Sequence, residues 1–178
     1  KKRFIEHINK TKIFGVYSLN DQPLDNDQES QLNRQIQKLI KNHDLVIVSD
    51  YGHGLISNKT AKLIVKKSKF VAVNTQLNSS NLGFHVISKY IGANFITINE
   101  TEMRHELRNK TEHRLPLIKT LSKKLKSKYT HVTSGVMGSI IYHSTLKEII
   151  SCPAFASKVI DKVGTGDTML AMLATSLF

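Results

Sequence analysis

The stretch VIDKVGTGDTMLAM, residues 159–172, joins a polar loop with two glycines to an apolar run of helix-forming residues. Gly164 and Gly166 let the backbone turn tightly and approach a ligand closely. The first N–H groups of the following helix lack helical partners, so they favour a phosphate or a developing oxyanion. Asp167 would repel a phosphate, but it is suited to take the proton of an attacking hydroxyl. A plain N-cap is the alternative role for this aspartate.

Short apolar strands alternate with amphipathic helices along the rest of the chain. The predicted strands are 12–19, 44–50, 70–74, 95–99, 130–135, 139–144 and 147–152, and the predicted helices are 27–43, 57–68, 82–91, 100–108, 113–127 and 168–178. Ser57 is the expected N-cap of the second helix. Helices between buried strands predict an α/β fold with a mostly parallel sheet, helices on both faces and an antiparallel pair late in the chain.

Length and composition predict one domain over residues 1–178, since 40% of the residues are hydrophobic. No run reaches the roughly 18 apolar residues of a membrane span, and the start KKRFIEHINK lacks the apolar segment of a signal peptide. A single cysteine, Cys152, fits a reducing compartment. We therefore expect a soluble, cytoplasmic protein with no membrane partner.

The net charge of +12 is the only feature that favours nucleic-acid binding. In the densest basic run, residues 119–131, Leu121 and Leu125 stand at helical spacing with lysines between them. Such lysines are typical of the solvated face of an amphipathic helix. The sequence shows neither a basic patch interleaved with aromatic residues nor a recognisable reading helix, so nucleic acid has no further support. The eight histidines show no spacing typical of a zinc site.

Three further stretches carry polar groups at predicted strand ends. Asn99 and Glu102 stand at i, i+3 where a strand meets a helix, so both can face one site and reach hydrated magnesium or phosphates. A capping box is their alternative role. The second stretch, residues 131–142, is a polar turn for a nucleotide or a plain glycine turn between strands; its residues are Thr133, Gly135 and Gly138. In the third, residues 46–57, a buried strand ends in a loop suited to a sugar; its residues are Asp50, Tyr51 and His53.

Together, and in this order, these stretches resemble the ribokinase or PfkB family of carbohydrate kinases. The closing motif of that family is similar to Asp-x-x-Gly-Ala-Gly-Asp, and residues 161–167 read DKVGTGD. Residues 99–102 are similar to its Asn-x-x-Glu motif, and residues 133–138 to its Ser/Thr-x-Gly-x-x-Gly nucleotide turn. The loop SDYGHG, residues 49–54, most resembles the heptose 7-phosphate kinases, which are often fused to a nucleotidyltransferase.

The resemblance implies a ribokinase-like three-layer sandwich that uses ATP and Mg²⁺ to phosphorylate a sugar or sugar-phosphate hydroxyl. Asp167 would be the catalytic base, and the backbone of Gly164, Thr165 and Gly166 would form the anion hole. Glu102 would hold magnesium through water. The implied ATP-binding residues are Thr133, Gly135, Gly138 and Asn99, and the implied substrate-binding residues are Asp50, Tyr51, His53, Asn74 and Gln76.

Two departures from the family pattern qualify these expectations. A complete kinase continues on both sides of the match, so we expect residues 1–178 to be a partial kinase domain. His53 stands where the heptose kinases have lysine, and Asn74 and Gln76 lie in VNTQLNSSNLG in place of Val-Asp-Pro-Lys-Gly. Neutral groups suit a plain sugar or polyol as well as a sugar phosphate. A non-catalytic nucleotide- or phosphate-binding module stays the alternative function, and a homodimer stays open.

Overall fold

The computed structural model describes residues 2–8, 12–18, 20–77, 81, 87–155 and 164–178, with only the backbone at residue 12. The strands are β1 Lys2–Ile5, β2 Lys12–Val16, β3 Leu45–Asp50, β4 Phe70–Thr75, β5 Phe95–Asn99, β6 Tyr129–Thr133, β7 Ser139–His143 and β8 Glu148–Cys152. The α-helices are α1 Asn26–Ile40, α2 Asn58–Lys67, α3 Glu100–Leu107, α4 Arg114–Leu125 and α5 Thr165–Leu177, with short 3₁₀ turns at Ile87–Tyr90 and Gly135–Met137.

The main sheet has six strands in the order β3-β4-β5-β6-β7-β8. The first four are parallel, and β7 is antiparallel to both β6 and β8. Because parallel neighbours need crossover connections, α2 lies between β3 and β4, and α3 and α4 lie between β5 and β6. The predicted α/β architecture, with a mostly parallel sheet and late antiparallel strands, is therefore confirmed.

Helices cover both faces of the main sheet, so the predicted three-layer sandwich is also confirmed. Successive strand residues point to opposite faces. On one face, Val71, Val73 and Ile96 join a large apolar cluster with residues of α1, α2, α3 and α4. On the other face, Phe70, Ala72 and Phe95 pack against Leu170 and Ala174 of α5. We call these the four-helix face and the α5 face.

Local capping fixes where several helices begin. The Ser57 side chain accepts a hydrogen bond from the Thr60 backbone N–H, as predicted for the N-cap of α2. Asp25 and Gln28 form a capping box at the start of α1. That helix ends at Ile40 rather than at residue 43, because the N–H of Lys41 bonds the Leu39 carbonyl and the chain then turns.

The last helix begins at Thr165 rather than at residue 168, so Asp167 lies within its first turn. Two other predicted elements differ more widely from the structure. The strand predicted at 12–19 ends at Val16 and pairs antiparallel with β1, a strand that the sequence pattern missed, in a two-stranded sheet apart from the main one. For the helix predicted at 82–91, residues 82–86 lie outside the described residues, and Ile87–Tyr90 is a 3₁₀ turn. Within the described part of the chain, no helix has the length and apolar character needed to cross a membrane.

Candidate active site at the carboxyl edge of the sheet

A row of polar side chains crosses the α5 face close to the carboxyl ends of the parallel strands. Ser49 of β3 pairs in register with Asn74 of β4, Asn74 pairs with Thr97 of β5, and Thr97 pairs with His131 of β6. The Asn74 Nδ2 donates to the Thr97 carbonyl over 2.8 Å, and Thr97 Oγ1 lies 2.8 Å from His131 Nδ1. Burial lowers the pKa of His131 to about 4, so its ring is neutral near pH 7.

Asp167 lies at one end of this polar row, in the first turn of α5. Ser49 Oγ donates to Asp167 Oδ1 over 3.1 Å, and the Tyr51 hydroxyl donates to Oδ2 over 3.1 Å. The Tyr51 hydroxyl also interacts with the side chains of Ser49 and Gln76. The structure thus brings together three of the predicted site residues, Asp167, Tyr51 and Gln76, although 116 positions separate Tyr51 from Asp167.

The glycine loop before α5 is described from Gly164 onward, and its role as an anion hole stays a prediction. Gly164 is the N-cap residue, with a φ of 82°, a left-handed conformation that favours glycine, and having no side chain it makes no side-chain cap. A Cβ added at Gly164 or Gly166 would meet no described atom within 4 Å. Residues 161–163, which complete the predicted motif, lie outside the described residues.

Asp50 points away from Asp167, into the four-helix face. Its carboxylate accepts a hydrogen bond from the Tyr90 hydroxyl at 2.6 Å and from the Gly52 N–H at 2.9 Å, and it pairs with Lys89 Nζ at 2.6 Å. Burial by itself would raise the pKa of Asp50, but the hydrogen bonds from Lys89, Tyr90 and Gly52 together lower it. These contacts give Asp50 a structural role, and its contact with substrate stays a prediction.

His53 and the end of β4 shape the neighbouring loops. His53 Nδ1 lies 2.8 Å from Asp21 Oδ1, so a carboxylate accompanies this histidine. The buried Asn81 donates through Nδ2 to the carbonyls of Tyr51 and Gln76, which holds the ends of β3 and β4 together. Asn74 Oδ1 is buried and has no hydrogen-bond partner among the described residues.

Asn99 and Glu102 form a reciprocal capping box at the start of α3. Asn99 Oδ1 accepts from the Glu102 N–H and Glu102 Oε2 accepts from the Asn99 N–H, both at 2.8 Å. Glu102 Oε1 also accepts from the N–H of Leu77, just beyond β4, at 3.1 Å. Burial raises the pKa of Glu102, against the opposing effect of these N–H donors. The capping role is therefore present, and the magnesium and ATP roles stay predictions.

The two glycines of the turn after β6 differ in their surroundings. A Cβ at Gly138 would lie 2.0 Å from the Cys152 carbonyl oxygen, so this glycine lets the turn pack against the end of β8. A Cβ at Gly135 would meet no described atom within 4 Å. Thr133 pairs in register with Asn99, which makes two of the predicted ATP-binding residues neighbours at the sheet edge.

Sequence reasoning missed Ser49, Asn81 and Lys89. Strand alternation carried a usable signal for Ser49, because residues 49 and 51 must point to the face opposite Asp50. No local pattern indicated Asn81 or Lys89, since their partners come from other segments of the chain.

Comparison with known proteins identifies the family of the chain. Residues 15–178 match the model of the pfkB family carbohydrate kinases. The chain is 30% identical over 152 residues to the bifunctional protein HldE of Campylobacter jejuni strain RM1221, covering 84% of this chain and 32% of that protein. It is 31% identical to HldE of Helicobacter pylori strain G27, covering 87% and 33%. The chain therefore spans about a third of these curated relatives.

Solved structures share the fold. Phosphofructokinase-2 from Escherichia coli, in complex with potassium, superposes with a TM-score of 0.70 at 15% identity, covering 87% of this chain and 50% of that one. Arabidopsis thaliana ribokinase, complexed with ribose and ATP, gives 0.60 at 20% identity, covering 89% and 48%. Because the family model matches residues 15–178, which is nearly the whole chain, the chain belongs to the pfkB family of carbohydrate kinases.

Proposed function

We propose that the protein carrying this chain transfers the γ-phosphoryl group of ATP to a hydroxyl of a sugar or sugar phosphate, with Asp167 as the base. The observation that carries the proposal is the position of Asp167. Its carboxylate lies in the first turn of α5, next to Gly164 and Gly166, and in contact with Tyr51 at the carboxyl edge of the sheet. Ligands of open α/β sheets bind at this edge.

The reaction depends mainly on positioning and charge stabilisation. As the acceptor oxygen attacks the γ-phosphorus, its proton passes to Asp167 and the bond to the ADP oxygen breaks. The backbone N–H groups of Gly164, Thr165 and Gly166 are the proposed anion hole, because the positive end of the α5 dipole favours developing negative charge there. Thr133, Gly135 and Asn99 are the proposed ATP contacts, with Gly138 shaping their turn.

The chemistry of Glu102 fits magnesium held through water. Each of its oxygens already accepts one backbone N–H, from Leu77 or Asn99. A carboxylate offers about four lone-pair positions, so one position on each oxygen is left for a water molecule. Bound magnesium would supply charge neutralisation on the phosphates, and Glu102 would orient its water shell.

The acceptor site is proposed to favour hydroxyl groups over a phosphate. Asn74 Oδ1 is a buried acceptor without a described partner, and Gln76 adds a neutral amide beside Tyr51. His53 already has the Asp21 carboxylate as its neighbour, which opposes the approach of a phosphate. Asp50 stays part of the proposed substrate site because its carboxylate accepts the Gly52 N–H and so orders the loop there.

The relatives named bifunctional protein HldE suggest a second activity in the same protein. We infer that this chain is part of a kinase domain that works beside a nucleotidyltransferase, as the loop at residues 49–54 implies. A homodimer and a cytoplasmic location belong to the same proposal.

Turnover of ATP with Mg²⁺ by the intact protein tests the function. The acceptor panel contains hexoses, heptoses and the phosphates of both. We expect acceptor-dependent ADP release that falls at least about a hundredfold in Asp167→Asn, while ATP binding is retained. Asp27→Asn, in the first turn of α1, is the matched control and should keep full turnover. Near-normal turnover in Asp167→Asn would contradict the role of the base, and ATP binding without turnover on any acceptor would favour the non-catalytic module.

A further inference from the structure

Two hydroxyl groups hold the Asp167 carboxylate, one on each oxygen. Ser49 Oγ donates to Oδ1 and the Tyr51 hydroxyl donates to Oδ2, each over 3.1 Å. Ser49 and Tyr51 flank Asp50, yet strand alternation turns them both toward the α5 face while Asp50 points to Lys89 on the other face. The end of β3 thus presents two donors to a single carboxylate.

Rigid elements fix both partners of this contact. Ser49 is paired in the sheet with Asn74, and the Tyr51 carbonyl accepts a hydrogen bond from Asn81 Nδ2 at 2.9 Å. Asp167 belongs to α5, which is anchored on the sheet by the buried Leu170. A hydrogen bond between two fixed elements restricts the side chain of Asp167 more than a bond to a flexible loop would.

Hydroxyl donors suit a base whose carboxylate must keep one orientation. Burial raises the pKa of Tyr51, and the hydrogen bond to Asp167 raises it further, so the phenol remains a donor near neutral pH. Two donors occupy about two of the four lone-pair positions of the carboxylate, and the remaining positions can accept the proton of a substrate hydroxyl.

We propose that Ser49 and Tyr51 are positioning residues for Asp167, a pair of hydroxyl donors that aims its carboxylate at the acceptor hydroxyl. This inference rests on the proposed function, in which Asp167 is the base. It assigns a role to Ser49, and it places Tyr51 beside the base as well as beside the substrate.

Steady-state kinetics of the intact protein test the pair, with ATP, Mg²⁺ and the acceptor that the panel identifies. Ser49→Ala and Tyr51→Phe should each lower kcat about tenfold, the worth of one hydrogen bond to a charged group, with KM for ATP unchanged. Ser49→Thr keeps the hydroxyl and should restore most of the lost turnover. Ser144→Ala removes a serine hydroxyl that bonds the carbonyl of Lys128, which precedes β6 at the end opposite the carboxyl edge, and should leave kcat unchanged.

The Asp167→Asn background separates this inference from the proposed function. If Asp167 is the base and Ser49 acts through it, adding Ser49→Ala to Asp167→Asn should lower kcat little further. Turnover that survives in Asp167→Asn overturns the proposed function and this inference with it. The same holds if no acceptor in the panel supports turnover by the parent protein. Turnover lost in Asp167→Asn but unchanged in Ser49→Ala and Tyr51→Phe overturns the inference alone. An equal loss in Ser49→Ala and Ser49→Thr overturns it as well, since the hydroxyl would then not matter.

Discussion

The two faces of the main sheet differ at neighbouring positions of the same strands. On the four-helix face, β4 and β5 place Val71, Val73, Ile96 and Ile98 in one apolar cluster. On the α5 face, apolar residues give way to the polar row from Ser49 to His131 as the strands approach their carboxyl ends. The comparison indicates that one face mainly supplies stability while the other combines a smaller core with the candidate site.

The largest expected effect concerns the buried ion pair between Asp50 and Lys89 on the four-helix face. Lys89→Met leaves the Asp50 carboxylate, only 5% exposed, without its charged partner. We expect the free energy of unfolding to fall by about 3 to 5 kcal/mol, because an uncompensated buried charge is costly. Urea denaturation of the intact protein measures the change.

A double variant sharpens this first prediction. Asp50→Asn combined with Lys89→Met removes both charges and keeps polar groups for Tyr90 and Gly52, so part of the stability should return. A double variant no more stable than Lys89→Met would show that the ion pair is not the cause.

The apolar part of the four-helix face is tested by cavity formation. Leu121 is fully buried, and Leu121→Ala should lower the free energy of unfolding by about 3 kcal/mol. Leu39→Ala is the matched control, because Leu39 is 60% exposed and its loss should change stability by less than about 0.5 kcal/mol. Equal losses in the two variants would contradict the placement of the core.

His131, in the polar row of the α5 face, predicts that the stability of the protein depends on pH. His131 has a pKa of about 4 in the folded protein and an ordinary value of 6.5, so the unfolded chain binds more protons between these limits. Above about pH 6.5 His131 is neutral in both states and the free energy of unfolding has its full value. That free energy falls as the pH is lowered toward about 4. The loss from about pH 7 to pH 5 should reach about 2 kcal/mol.

His131→Gln removes this titration and keeps a polar side chain beside Thr97. The free energy of unfolding of the variant should therefore depend less on pH over the same interval than that of the parent. Parallel curves for the two proteins would contradict the assignment to His131.

The smallest effect is expected at a helix start on the four-helix side. Ser57 caps α2 and also donates to Glu29 of α1. Ser57→Ala should lower the free energy of unfolding by about 1 kcal/mol, and Ser57→Thr should retain most of the cap. Thermal denaturation compares the two variants, and equal losses would argue against capping as the cause.

Much of the fold could be predicted because its patterns are local. The buried strand ending in Asp50, the N-cap at Ser57 and the glycine loop before α5 were each readable from a few neighbouring residues. The orientation of Asp50 was harder. The sequence placed Asp50 and Tyr51 in one loop, but strand alternation sends their side chains to opposite faces, and the partner Tyr90 lies 40 positions away.

The sequence by itself determined the alternation of strands and helices, the starts of α2 and α3, the glycine at 164 and the family motifs, because these depend on short-range sterics and hydrogen bonding. Only the tertiary structure decided which polar groups meet. Ser49 and Asp167 are 118 positions apart, and they touch because α5 packs across the face of β3. Parallel register likewise aligns Asn74, Thr97 and His131, since each strand pairing is fixed by packing rather than by neighbours in the chain.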